Sequence, residues 1–145
     1  MKPKGGSSMR GGWRLVIRNS GEVVVPDLIL ADHFWPRFVG LQFRRRLPPG
    51  SGLLLVPCNS VHTCFLRFPI DLICLDRQGR VVEVRPHLRP WRAAVGAAGT
   101  HAILETAAGA GHFAVGQLLS AQAVGDDPAA LPRSLQFLNP GPARP

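Results

Sequence analysis

This sequence predicts a mainly β fold with some α structure (α+β). It reads as a compact β-barrel or sandwich of short, mostly antiparallel strands with one or two short helices. Three observations carry that expectation. Short apolar runs recur at close spacing, among them Leu53–Val56, Asp71–Asp76 and Arg80–Arg85. Turn sequences such as "NSGE" (19–22) and "DRQG" (76–79) separate β-rich runs. The 16 glycines and 14 prolines in 145 residues keep every element short, and the length suits one domain.

Taken in order, "WRLVIR" (13–18) and "VVV" (23–25) flank the first turn and read as a hairpin. Pro26 ends it or marks an edge, because proline gives no N–H to a ladder. "DLILA" (27–31) is a further strand. A short helix is expected from Pro36 to about Phe43: the residue before a proline avoids the α region, and proline suits the first helical position. "LPPGSG" (47–52) is a loop and "LLLV" (53–56) a strand closed by Pro57. "VHTCFL" (61–66) and "DLICLD" (71–76) are strands joined through "RFPI", and "RVVEVR" (80–85) pairs back across the Asp76–Gly79 turn. "PHLRPW" (86–91) is extended by its prolines, and "AAVGAAG" (93–99) is small and flexible. "HAILE" (101–105) is a strand, 106–117 a short helix or turn, and "LLSAQAV" (118–124) the last strand.

The domain expectation is therefore a flexible basic arm over 1–11, one β-rich domain over 12–125 and a proline-rich tail over 126–145. Most of the excess positive charge lies near the N-terminus. Lys2, Lys4, Arg10, Arg14 and Arg18 place +5 of the net +8 in residues 1–20. Such an arm is ordinarily solvated; a nucleic-acid role would use it together with Arg44, Arg45 and Arg46. The chain lacks tyrosine and shows no aromatic residues interleaved with basic ones as in RNA-recognition modules. No run reaches the roughly 20 apolar residues of a membrane span, and no apolar stretch follows the basic N-terminus as in a secretory signal. A cytoplasmic location is expected, with Cys58, Cys64 and Cys74 as thiols.

By residue 79 a wider pattern has formed. "RFVGLQFRRRLPPGSGLLLVP" (37–57), "HTCFLRFPIDLICLDRQGRVV" (62–82), "PWR" (90–92) and "LETAAG" (104–109) resemble, in order and spacing, domain-of-unknown-function family 192. The resemblance implies a small, single-domain, β-rich fold. It implies little about activity, since that family is itself uncharacterised.

The chemistry-bearing residues gather in the matching stretches. Asp71 follows Pro69-Ile70 at the head of an apolar strand, where a carboxylate accepts turn N–H groups or pairs with Arg37, Arg44, Arg67 or Arg92. Asp76 and Gly79 are turn residues. Trp91 and Arg92 sit in an extended loop, as a cover for the core or a lid over a pocket. Glu105 ends an apolar strand, where it should meet an arginine or cap the following turn. The expected site is one polar cavity lined by Arg37, Arg44, His62, Arg67, Asp71, Trp91, Arg92 and Glu105. Its arginines favour a small anionic molecule or a peptide segment, bound by a non-enzymatic binding or accessory protein with no cofactor. The alternatives are a small hydrolase using His62 with Cys64 or Asp71, nucleic-acid binding through the arm, and a zinc site of Cys58, His62, Cys64 and Cys74. No phosphate loop, dinucleotide fingerprint or G-x-S-x-G elbow is present.

Overall fold

The computed structural model describes residues 9–31, 47–63, 66–125 and 130–141. Its strands are β1 (Met9–Ile17), β2 (Val23–Ala31), β3 (Ser51–Leu55), β4 (Ser60–His62), β5 (Ile70–Leu75), β6 (Val81–Leu88), β7 (Ala93–Val95), β8 (Ala102–Ala107) and β9 (Leu119–Ala123). A single 3₁₀ helix, Arg133–Leu138, is the helical element among the described residues. Seven strands form one sheet in the order β6-β5-β8-β3-β2-β1-β9; β4 and β7 form a separate pair. The β2–β3 pair is parallel and the others are antiparallel. The fold is mainly β, as the sequence predicts.

The seven-stranded sheet curls without closing. Its two edges, β6 and β9, meet at one corner. Arg80 bridges Leu118 there. The Val81 N–H donates to the Gln117 carbonyl at 2.8 Å, and the Leu119 N–H to the Gly79 carbonyl at 2.9 Å. Arg18 reinforces the corner: its guanidinium donates to the carbonyls of Gln78, Leu119 and Leu138 and to the Ser120 hydroxyl.

Alternation along each strand splits the apolar residues into two layers. Leu15, Leu28, Leu30, Leu54, Ile73, Leu75, Leu104 and Leu119 fill the inside of the curl. Gly52 belongs to that inner set, and a Cβ there would lie 3.0 Å from both Leu104 and Val25, so only glycine lets the strands come this close. Leu53, Leu55, Ile70, Leu72, Cys74 and Ile103 point outward and are covered by Leu47, Leu66 and Ala94.

Where structure and expectation differ, local physics explains why. The first hairpin does not stop at Pro26; β2 runs through it. The pairs Trp13↔Leu28 and Leu15↔Val25 show an extra residue on β2, and this bulge takes up the missing N–H of Pro26. The strand expected over 61–66 ends at His62, and it pairs with β7, not with β5. Of the stretch 106–117, expected as a short helix or turn, the first two residues end β8 and 108–117 form turns, the second of those alternatives. The helix expected over 36–43 lies outside the described residues. The region read as a tail contains the 3₁₀ helix, whose Leu135 and Leu138 are fully buried in the inner core. Asn139 follows it and holds the exposed edge of β9: its side-chain amide donates to the Ala121 carbonyl at 2.8 Å, and its side-chain oxygen accepts the Ala121 N–H at 2.9 Å.

Candidate functional site

Asp71 lies near the start of β5 opposite Thr106, on the inner side of the sheet, and is 8% exposed. Its Oδ1 accepts the His87 N–H at 2.8 Å and its Oδ2 the Gly109 N–H at 2.9 Å. Both oxygens thus hold backbone N–H groups, and among the described residues no arginine takes part. Asp76 behaves alike: its Oδ1 accepts the N–H groups of Gln78 and Arg80 at 2.9 Å each, around Gly79 at φ 79°. Replacing Asp71 by Ala is expected to lower unfolding free energy by about 1–3 kcal/mol, with Asp71→Asn intermediate because it keeps one acceptor. Urea denaturation of the three proteins measures this.

Glu105 faces the other way. It pairs with Leu53 on β3 and Leu72 on β5, so its side chain stands among the outward residues. It is 7% exposed. Among the described residues none bonds its carboxyl, and neither the arginine nor the turn cap expected from the sequence is found there. Burial alone pushes its pKa up to about 8, so at neutral pH the group is a carboxylic acid. The same layer carries a bonded counterexample on β6. Glu83 accepts Arg85 Nε at 2.9 Å and the Ala97 N–H at 3.0 Å, and the Arg85 bond holds its pKa below the usual carboxylate value. Cys74 Sγ lies 3.7 Å from Glu83, and burial raises the thiol's pKa, which disfavours the thiolate a nucleophile needs.

The remaining residues gather around Thr63, which the sequence reading passed over. Thr63 is completely buried. Its hydroxyl donates to the Arg89 carbonyl at 2.6 Å and accepts the Arg92 N–H at 2.8 Å. Its carbonyl accepts the N–H groups of both Trp91 and Leu66. This brings His62, Trp91 and Arg92 to one exposed loop surface, with Arg67 one residue beyond Leu66. Arg37 and Arg44 lie outside the described residues. The single shared hollow therefore separates into three places: Asp71 inside the curl, Glu105 on its outer face, and His62, Arg67, Trp91 and Arg92 at the surface.

The other chemistries expected from the sequence can be placed in the same way. His62 is exposed on β4, while both oxygens of Asp71 are engaged by backbone. Cys64, the other candidate partner of His62, is outside the described residues, as are Arg44–Arg46 and residues 1–8 of the arm expected over 1–11, whose residues 9–11 instead begin β1. Among the described residues no three His, Cys, Asp or Glu side chains come together as a metal site. No helix among them is long and apolar enough to cross a membrane. A groove of about 460 Å³ at the β6–β9 corner is lined by Ile17, Arg18, Asn19 and residues 115–118, of which the sequence draws attention only to Arg18, as one of the N-terminal cations.

Comparison with known proteins bears on the family and the fold. The model of the family DUF192, described as "Uncharacterized ACR", matches residues 15–116. A UPF0127 protein of Thermococcus sibiricus is 34% identical over 103 residues, which is 66% of this chain; the chain spans 64% of that relative's length. Two solved structures share the fold. A Sinorhizobium meliloti protein provisionally described as a transcription regulator superposes with a TM-score of 0.68 at 21% identity, covering 81% of this chain and 98% of its own. A protein of unknown function from Novosphingobium aromaticivorans gives 0.66 at 20% identity, covering 83% and 90%.

Proposed function

We propose that this chain, which belongs to the DUF192 family of uncharacterized proteins, is a non-enzymatic binding domain whose small ligand is held at Glu105. One observation carries the reading. Within the stretches that resemble the family, Asp71, Asp76 and Gly109 all have backbone work to do. Glu105 has none among the described residues, yet it is buried between Leu53 and Leu72 against an unfavourable loss of solvation. A polar group kept in such a setting without a structural bond is what a ligand contact leaves behind in the free protein.

The chemistry of the group defines the ligand. A protonated carboxyl donates one hydrogen bond and accepts another. It suits a ligand with an apolar body and one oxygen, whether carbonyl, hydroxyl or carboxylate, and the surrounding leucines and isoleucines take the body. An acidic ligand remains compatible, because a neutral acid donates to a carboxylate where an ionised one repels it.

A thermal-shift screen of short-chain fatty acids, alcohols and amides on the wild type and on Glu105→Leu tests this. A ligand that raises the wild-type melting temperature by several degrees and leaves Glu105→Leu unmoved, with both proteins folded, is the expected result. Equal shifts in both proteins, or a Glu105→Leu that no longer folds, would remove Glu105 from the binding role.

A further inference from the structure

The loop between β6 and β7 has a backbone that the fold must actively hold. His87 at φ 54° and Trp91 at φ 62° are the two non-glycine residues in the left-handed region among those described. Such a backbone is strained for a residue with a side chain and persists only where surrounding bonds over-determine it. The bonds are those already given. The Asp71 carboxylate fixes the His87 N–H, and Thr63 grips Arg89, Trp91 and Arg92 through its hydroxyl and its carbonyl. The buried Thr63 and one oxygen of the buried Asp71 thus hold a seven-residue segment, 86–92, from which Leu88 packs against the outer apolar layer.

Held this way, the loop displays an unusual set of side chains. Trp91 is 60% exposed, an uncommon position for the largest apolar side chain. On the segments that the Thr63 bonds bring together, His62, Arg67, His87, Arg89 and Arg92 are all exposed as well. No aspartate or glutamate occurs in 60–63, 66–69 or 86–95. The Arg92 guanidinium donates to the neighbouring Trp91 carbonyl, not to an acid. The surface joins a rigidly presented aromatic ring to several cations, and tryptophan and arginine are the side chains that dominate protein-binding hot spots.

We infer that residues 86–92, with His62 and Arg67, form a docking surface for an acidic peptide segment of another protein, in which an apolar side chain packs on Trp91 and carboxylates meet Arg67, Arg89 and Arg92. Charge complementarity selects this partner. These segments supply cations and no anions, and arginine's fork suits carboxylates. This goes beyond the Glu105 site, which lies beneath a different part of the fold and takes a small molecule.

The test uses the full chain and two fluorescein-labelled peptides, one alternating glutamate with leucine and one with each glutamate replaced by glutamine. Anisotropy is expected to show micromolar binding of the acidic peptide that weakens at least tenfold for its glutamine version. Trp91→Ala and Arg92→Glu each reduce it at least tenfold, while Arg133→Glu, an equal change of charge on the 3₁₀ helix, leaves it within twofold. Glu105→Leu also leaves it unchanged, which separates this surface from the small-molecule site. Should Trp91→Ala perturb folding, Arg92→Gln and the NMR shift of the Trp91 indole N–H on titration report on the same contact. Binding that ignores Trp91 and Arg92, that follows overall charge through Arg133, or that prefers single-stranded RNA to the peptide would overturn the proposal.

Discussion

The unfolding free energy of this protein should fall as pH rises from about 4.5 to about 8, and Glu105→Gln should abolish most of that fall. Glu105 titrates near 8 in the folded chain and near 4.5 when unfolded. Between those values the folded state keeps a proton that the unfolded state has released, so each added unit of pH favours unfolding. The cost is absent below 4.5, grows through the window and is complete above 8. The limiting slope is about 1.4 kcal/mol per pH unit, and the total is on the order of several kcal/mol. Glutamine has the same shape and no proton to lose, so the difference between wild type and Glu105→Gln isolates this residue from every other titrating group. Glu105→Leu should go further and stabilise the protein at pH 7 by about 1–3 kcal/mol, because it removes a buried polar group that has no described partner. Chemical denaturation at half-unit pH steps measures all three. A flat difference between wild type and Glu105→Gln across the window would mean that the carboxyl is not held in an apolar setting.

The second large effect is expected at the C-terminal 3₁₀ helix. Leu135→Ala and Leu138→Ala should each cost about 2–5 kcal/mol, comparable to truncating a leucine in the middle of a sheet. Both side chains are fully buried, and they join a core supplied by all seven strands of the main sheet. The gap that β6 and β9 leave beyond their one corner is closed by this helix, with Phe137 edge-on to the His101 ring at 5.0 Å. Removing either leucine leaves a cavity in the inner core. The family match ends at residue 116, before β9 and the helix, so this large contribution comes from sequence outside it. Thermal melts of the two variants, compared with Gln136→Ala on the exposed side of the same helix, test the claim. Variants that melt within a degree or two of the wild type would mean that the helix is only an appendage.

What the sequence conveyed and what it did not follow from the range of the interactions. The Asp76–Gly79 turn was legible because its donors, acceptor and positive-φ glycine lie within five residues. The β5–β6 hairpin around it was legible for the same reason. The β4–β7 pair was not: each strand has three residues, their partners are about thirty positions apart, and "VHTCFL" alternates well enough to suggest a longer strand. Pro26 looked like a stop because a bulge cannot be seen until the register is known.

The site followed the same rule. The need of Asp71 for partners was readable, and backbone N–H groups were one expected kind beside arginine, but that they would come from His87 and Gly109, 16 and 38 positions away, was not. That Glu105 and Asp71 point to opposite faces depends on the registers of β5 and β8. Thr63 carried no signal beyond being polar in an apolar run. The 3₁₀ helix was hidden by its composition: prolines and glycines on both sides outweighed the leucines at positions 135 and 138.

Asn139 has a consequence for how the molecule behaves in company. The free border of a sheet invites a neighbouring chain to extend it, and this invitation is the usual start of unwanted association. Here one carboxamide stands in for the missing strand at Ala121, offering a donor and an acceptor at the spacing a backbone would. A single short side chain thereby gives the open curl some of the self-sufficiency of a closed cylinder, and leaves the molecule free to meet partners by its loops instead of its border.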